Sequence, residues 1–167
     1  MLEDSYLNMK EEVRWLMTWL TLDGTMEQKM RNYHRGNEEY WLNLGEWSQP
    51  GALPSNELVH TFFLWKCCDC CARAGRALNR TEEAAHYQAL ADKVAQNFHR
   101  RFYDPQAKSY GIAGSNVFAL QIGVPQAYRD DVVSTLRREI MEENNGHLHT
   151  GIFGTKYLFE TLSDVGL

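Results

Sequence analysis

The apolar residues of this chain return at three- and four-residue steps over almost its whole length, which is the period of a helix face and not of a strand. Residues 3 to 22 carry Tyr6, Met9, Val13, Leu16, Met17 and Leu20 at those steps, and Asp23-Gly24 supplies a stop. A second run opens after Pro54, where Ser55 can cap free N–H groups and Glu57 suits the positive end of the helix dipole, and it continues to about Leu78. A third starts at Thr81 with Glu82 and Glu83 in its first turn, offers Tyr87, Leu90, Ala91, Val94, Phe98 and Phe102 for burial, and closes at Asp104-Pro105. Ser115 to Ile122 reads as a shorter helix ended by Gly123. Pro125 starts another, with Val132, Val133, Leu136 and Ile140 facing inward, and the run Glu142 to Gly146 breaks it. A last helix follows Thr150-Gly151 through Tyr157, Leu158 and Leu162. Tyr110 to Ala113 is a weak strand candidate, and residues 25 to 53 read as a long loop with short turns.

Helices joined by alternately short and long connections predict an all-α fold of antiparallel helical hairpins whose long loops converge on one rim. No period of about 34 residues returns the same residues, so this is not a tetratricopeptide or ankyrin array. A length of 167 residues, 44% of them hydrophobic, fits one globular domain. The formal charge of -5, with no Lys/Arg cluster, argues against nucleic acid as a partner. No apolar run approaches the roughly 20 residues needed to cross a bilayer. Glu3, Asp4 and Lys10 stand where a signal peptide would be basic and then apolar, so no membrane and no targeting signal are expected. The compartment stays open between cytoplasm and periplasm.

All four cysteines fall in Cys67-Cys68-Asp69-Cys70-Cys71. On a helix this spacing sets Cys67 near Cys70 and Cys71, a geometry a soft metal can use. Yet there is no second Cys-x-x-Cys and no histidine pair at zinc spacing, and the surroundings, from Phe62-Phe63-Leu64-Trp65 to Ala72, are apolar. The expectation is reduced thiols packed as small hydrophobes, with no metal and no organic cofactor.

Two loops stand out from the helical pattern: Gly45-Glu46-Trp47 after Trp41 and Leu44, and the run Gly146 to Thr155 containing His147, His149, Gly151 and Gly154. Long loops inside compact domains are usually functional or disordered. The dense aromatics Tyr33-His34, Tyr40-Trp41 and Glu46-Trp47 favour function. A carboxylate beside an indole, and imidazoles beside helix-opening glycines, are suited to gripping a sugar. Trp47 offers a flat face to the C–H surface of a sugar ring, or is an ordinary core tryptophan; Trp41 is a second candidate. His147 and His149 can donate to sugar hydroxyls, orient a carboxylate, or simply satisfy backbone groups where the loop becomes helix. Glu46 is a sugar-hydroxyl acceptor, an organiser of its neighbours, or a catalytic base. Gly151 and Gly154 are expected to permit close helix packing. Ser115 and Asn116 open a helix whose N–H groups either face the pocket or are plainly capped. Glu142-Glu143 and Arg100-Arg101 read as solvated faces.

The order Trp41, Leu44-Gly45-Glu46-Trp47-Ser48, then Glu57 to Phe63, Arg80 to Tyr87, Tyr110-Gly111, Asn116 to Leu120, Gly123-Val124-Pro125 and Gly146 to Leu158 resembles the catalytic domain of bacterial α-L-rhamnosidases of glycoside hydrolase family 78. The likeness implies an (α/α)6 barrel of six helical hairpins that releases a terminal α-L-rhamnose with inversion, acting on a rhamnose-containing oligosaccharide or glycoside. Glu46 stands where that family usually has Asp in a Gly-Asp-Trp run. The family's general acid lies in an Asp-Glu-Arg-Leu-Gly-Trp type segment and its general base in a Trp-Glu segment, and neither occurs here. The resemblance therefore implies that residues 1–167 are a single partial catalytic domain, about half of an α/α toroid, inactive alone. Inversion needs two carboxyl groups about 6.5–9.5 Å apart, which one loop carboxylate cannot supply. The other readings are a non-enzymatic helical scaffold or binding module, and another (α/α)6 carbohydrate-active enzyme. A half barrel also exposes apolar faces that invite self-association.

Overall fold

The computed structural model describes residues 1–26, 30–31, 40–41, 45–48 and 50–167, and among these the chain forms α1 (Leu2–Met17), α2 (Asn56–Ala77), α3 (Thr81–Phe102), α4 (Ala113–Ile122), α5 (Gln126–Arg138) and α6 (Ile152–Asp164). A π-type turn, Glu139–Glu143, continues α5. Within the segment expected to be loop, β1 (Met30–Arg31) pairs antiparallel with β2 (Tyr40–Trp41). Among the described residues the fold is all-α apart from this two-residue ladder. None of the described helices is long and apolar enough to cross a membrane.

Local chemistry sets the helix ends. Ser55 Oγ accepts the Leu58 N–H at 3.2 Å and so caps α2 as its sequence predicts. At the far end Asn79 takes the left-handed conformation (φ 58°), and the Arg80 N–H returns to the Gly75 carbonyl at 2.8 Å, turning the chain sharply into α3. Gly123, at φ 101°, does the same after α4. The first helix stops at Met17, short of the expected residue 22. Threonine hydroxyls compete for the backbone there: Thr18 Oγ1 donates to the Trp15 carbonyl, and Thr21 and Thr25 both donate to Asp23 Oδ1. These bonds, the Thr21 hydroxyl first among them, pull the Asp23 carboxyl down to about 2. Tyr110 to Ala113 is not a strand. Asp104 and Ser109 exchange backbone bonds in a tight loop, and Ala113 already belongs to α4.

Side-chain contacts fix the helix directions. Arg101 meets Glu57 at 3.1 Å and Arg76 meets Gln88 at 3.2 Å, so α2 and α3 are antiparallel. In contrast α6 runs parallel to α2, since Phe63 packs on Phe153 (5.0 Å) and Lys66 Nζ lies 5.6 Å from the Tyr157 ring centre. It also runs parallel to α4, since Phe118 faces Tyr157 (6.4 Å) and Gln121 donates to Thr161 (3.0 Å). The starts of α2, α4 and α6 therefore share one rim. That rim collects the long connections, and the opposite end collects the turns at 78–80 and 123–125.

Fully buried Phe62 sits where the parallel helices meet, its ring 4.7 Å from Phe118. A second cluster, including Tyr6, Val13, Leu64 and Val94, joins α1, α2 and α3. The cysteines belong to it as expected: Cys68 and Cys71 are buried, Cys67 and Cys70 half-buried, and all four are free. Burial pushes Cys67 and Cys71 up to about 11 and Cys68 to about 12, so these thiols stay protonated and make poor soft-metal ligands. Arg100-Arg101 and Glu142-Glu143 are solvent-exposed, as their sequence implied.

Two measurements test this packing. Phe62→Ala is expected to cost about 3–5 kcal/mol in urea unfolding, whereas exposed Phe159→Ala should stay within about 0.5 kcal/mol. Buried His99 shares a 2.7 Å hydrogen bond with the Tyr110 hydroxyl, and burial lowers it to about 4. A depressed histidine stabilises the fold fully above its ordinary 6.5, and that contribution is lost as pH falls towards 4. The urea midpoint should drop over this window, and the drop should shrink in His99→Phe.

Candidate functional site

An α-helix leaves its first N–H groups without internal partners, and α6 has no side-chain cap of its own. A residue more than a hundred positions earlier completes it. Glu46, only 3% exposed, turns its carboxylate onto the helix start: Oε1 accepts the Phe153 N–H at 2.9 Å and Oε2 the Gly154 N–H at 2.6 Å. Oε1 also accepts the Trp47 N–H at 2.9 Å, and the Trp47 carbonyl accepts the Ile152 N–H at 2.9 Å. The first regular bond of α6 follows, from the Thr155 N–H to the Gly151 carbonyl. A carboxylate here also gains from the positive end of the helix dipole.

The loop glycines serve this contact and not the helix packing expected of them. A Cβ at Gly151 would lie 2.5 Å from the Glu46 carboxyl carbon, and one at Gly154 would lie 2.9 Å from Thr150 Cβ and 3.1 Å from Glu46 Oε2. Gly151 must be bare for the carboxylate to reach the backbone, and Gly154 for both the carboxylate and Thr150.

The Trp47 backbone is thus pinned at its N–H and at its carbonyl, while its side chain remains 59% exposed. It is not a core tryptophan. Half-buried His149 stands over Gly51, where a Cβ would come within 3.0 Å of its Nε2. Glu46, Trp47 and His149 are therefore brought together where the 45–51 and 146–155 loops meet. His147 is exposed at the tip, its N–H donating to the Asn144 carbonyl at 2.8 Å. Trp41 lies in the β1–β2 ladder, and its side chain, like Tyr33 and His34, falls outside the described residues.

Sequence reasoning missed a second polar cluster on this rim. Asn116, fully buried, does not aim helix N–H groups at a pocket. Its Oδ1 accepts the Tyr110 N–H (2.9 Å) and the Ser109 hydroxyl (3.1 Å), and its Nδ2 donates to the Gly111 carbonyl (3.1 Å) and to Glu139 Oε2 (3.2 Å). Glu139 begins the π-type turn. Burial, against the Asn116 bond, raises its carboxyl to about 7. The available signal was a lone glutamate between Leu136 and Ile140, three and one residues away, on a face that turns inward.

The chain matches the bacterial alpha-L-rhamnosidase 6 hairpin glycosidase domain over residues 1–167. Two alpha-L-rhamnosidases of Formosa agariphila are similar to it. One is 34% identical over 88 residues, which is 52% of this chain and 9% of the relative; the other is 28% identical over 115 residues, 67% and 12%. The solved alpha-L-rhamnosidase of Dictyoglumus thermophilum superposes with a TM-score of 0.82 at 26% identity, covering 99% of this chain and 18% of its own. For the Aspergillus terreus enzyme the values are 0.74, 19%, 98% and 19%, a likeness of fold alone. The chain thus spans about a fifth of the solved structures and about a tenth of the curated relatives.

Removing the carboxylate should strand three N–H donors. Glu46→Ala is expected to destabilise the fold by about 1–3 kcal/mol and to speed hydrogen exchange at the Phe153 and Gly154 amides. Gly151→Ala should copy the exchange effect by displacing the same carboxylate.

Proposed function

The chain belongs to the bacterial α-L-rhamnosidase six-hairpin glycosidase domain family, and from that premise we propose that it forms part of the saccharide-holding wall of an inverting glycosidase that releases terminal α-L-rhamnose from rhamnose-containing oligosaccharides or glycosides. The observation that carries this reading is the Trp47 indole, open to solvent on a backbone fixed at both ends of its peptide unit. A ring held this way is ready for a flat ligand without ordering its own loop first. Rhamnose, a 6-deoxy sugar, offers an apolar methyl and C–H face, and an indole that covers it removes water from the polar contacts alongside.

His149, which stands over Gly51, has imidazole nitrogens suited to a sugar hydroxyl, and in this proposal His147, exposed at its loop tip, serves the outer edge of the same site. Trp41 flanks it. Glu46 acts as a positioning residue: with its oxygens on backbone N–H groups it sets where Trp47 stands relative to α6, and it does not serve as the base. The chemistry needs one carboxyl to protonate the leaving oxygen and another to activate water about 6.5–9.5 Å away. On this reading both come from segments outside residues 1–167, and the carboxyl pair suffices without a metal or organic cofactor.

In a rhamnosidase that carries this chain within its complete barrel, Trp47→Ala is expected to lower kcat/KM for an aryl rhamnoside by about tenfold or more, mostly through KM. Unchanged turnover would remove the indole from the site. Glu46→Gln should weaken binding and leave residual activity; complete loss in a folded variant would move Glu46 into the catalytic group.

A further inference from the structure

The segment that carries His147 and His149 leaves α5 through an irregular turn with an unusual anchor. The Glu139 carbonyl accepts twice from Asn144, from its backbone N–H at 3.0 Å and from its side-chain Nδ2 at 2.6 Å. The first of these is the five-residue step of a π-turn. The Gly146 N–H then reaches back to the Ile140 carbonyl at 2.7 Å, and His147 hangs from Asn144. Single π-turns are rare and concentrate at functional sites, because the slipped register re-aims the residues that follow. Here those residues are the two histidines.

The side chain of the same glutamate faces the opposite way, into the protein. Glu139 Oε2 accepts from Asn116, whose amide has no freedom to move: its remaining hydrogen-bonding positions are taken by Ser109, Tyr110 and Gly111. Glu139 thus joins a fixed point on α4 to the root of the histidine loop. We infer that Glu139, seated on Asn116, is a positioning residue that sets the 144–149 loop and through it His147 and His149 on the rim. This rests on the site proposed above for the use of those histidines, but the anchoring itself can be tested apart from it.

The anchor has a built-in pH dependence. On its own element Glu143 raises the Glu139 carboxyl and Arg138 lowers it; α4 presents the neutral Asn116 amide, backed by neutral Ser109 and the Tyr110 N–H; burial outweighs these and lifts the carboxyl from 4.5 to about 7. Its neutral form is therefore favoured by the fold. That contribution is whole below about 4.5 and is lost as pH rises through about 7, where a buried charge replaces a neutral group.

The test is a pH titration of this chain by two-dimensional NMR between pH 5 and 9. The Asn116 side-chain amide should move with a midpoint near 7, and the backbone amides of Asn144, Gly146 and His147 should follow with the same midpoint. Glu139→Gln should abolish that shared transition, whereas exposed Glu143→Gln should keep it. An Asn116 amide that titrates while the loop amides stay still would overturn the inference from the unaltered chain alone, whether or not the variants fold. So would a loop transition that persists in Glu139→Gln. A shared transition together with unchanged rhamnoside turnover in Trp47→Ala would leave the anchor standing and remove only the sugar site.

Discussion

Three N–H groups at the start of α6 have no partners within their own helix, and loop 46–47 supplies all of them. Burying a polar side chain is costly unless its atoms are hydrogen-bonded, and Glu46, 3% exposed, meets that condition with three backbone N–H groups on its two oxygens. The consequence is topological as much as energetic. Glu46 and Phe153 lie 107 residues apart, and their contact joins the loop before the second helix to the start of the last one. Without it the α6 start is uncapped and the Trp47 peptide has no fixed place.

This contact makes sense only because the helices α2, α4 and α6 run parallel. Their starts, with the unmet donors and positive dipole ends that every helix start carries, fall on one rim. Polar side chains answer them at two of the three, Ser55 on α2 and Glu46 on α6, while Asn116 on α4 instead ties down the 109–111 loop that leads into that helix. At the opposite end the connections are a few residues long and close on backbone bonds, such as Arg80 to Gly75. One end of the structure is therefore built of short turns that tolerate little variation, and the other of long loops free to carry side chains for a ligand.

How far the sequence disclosed this depends on whether the cause was local. Burial of one face made the helical period visible, and Ser55, Gly123 and Asp104-Pro105 marked helix ends because each acts on its immediate neighbours. The early end of α1 escaped because Thr18, Thr21 and Thr25 compete for backbone groups by a route that hydrophobic spacing does not register. The π-turn escaped because a one-residue slip in hydrogen bonding leaves composition unchanged. Gly151 and Gly154 looked like packing glycines, and the distant Glu46, with Thr150 beside Gly154, explains their bare backbones. That the long loops share one rim was legible from the alternation of short and long connections, while the atoms that bind the two loops together were not.

Glu46 and Glu139 show how environment divides the labour between two carboxyl groups on one rim. Glu46 accepts backbone N–H groups at a helix start, whereas Glu139 meets a single amide in a desolvated place, which favours a proton. The commitments of both are structural. One holds the root of α6 and Trp47, and the other holds the root of the histidine loop. A carboxyl that gave up such bonds to take or donate a proton would loosen the loop it holds. On the function proposed above, the acid and base are therefore better sought among side chains that carry no such duty.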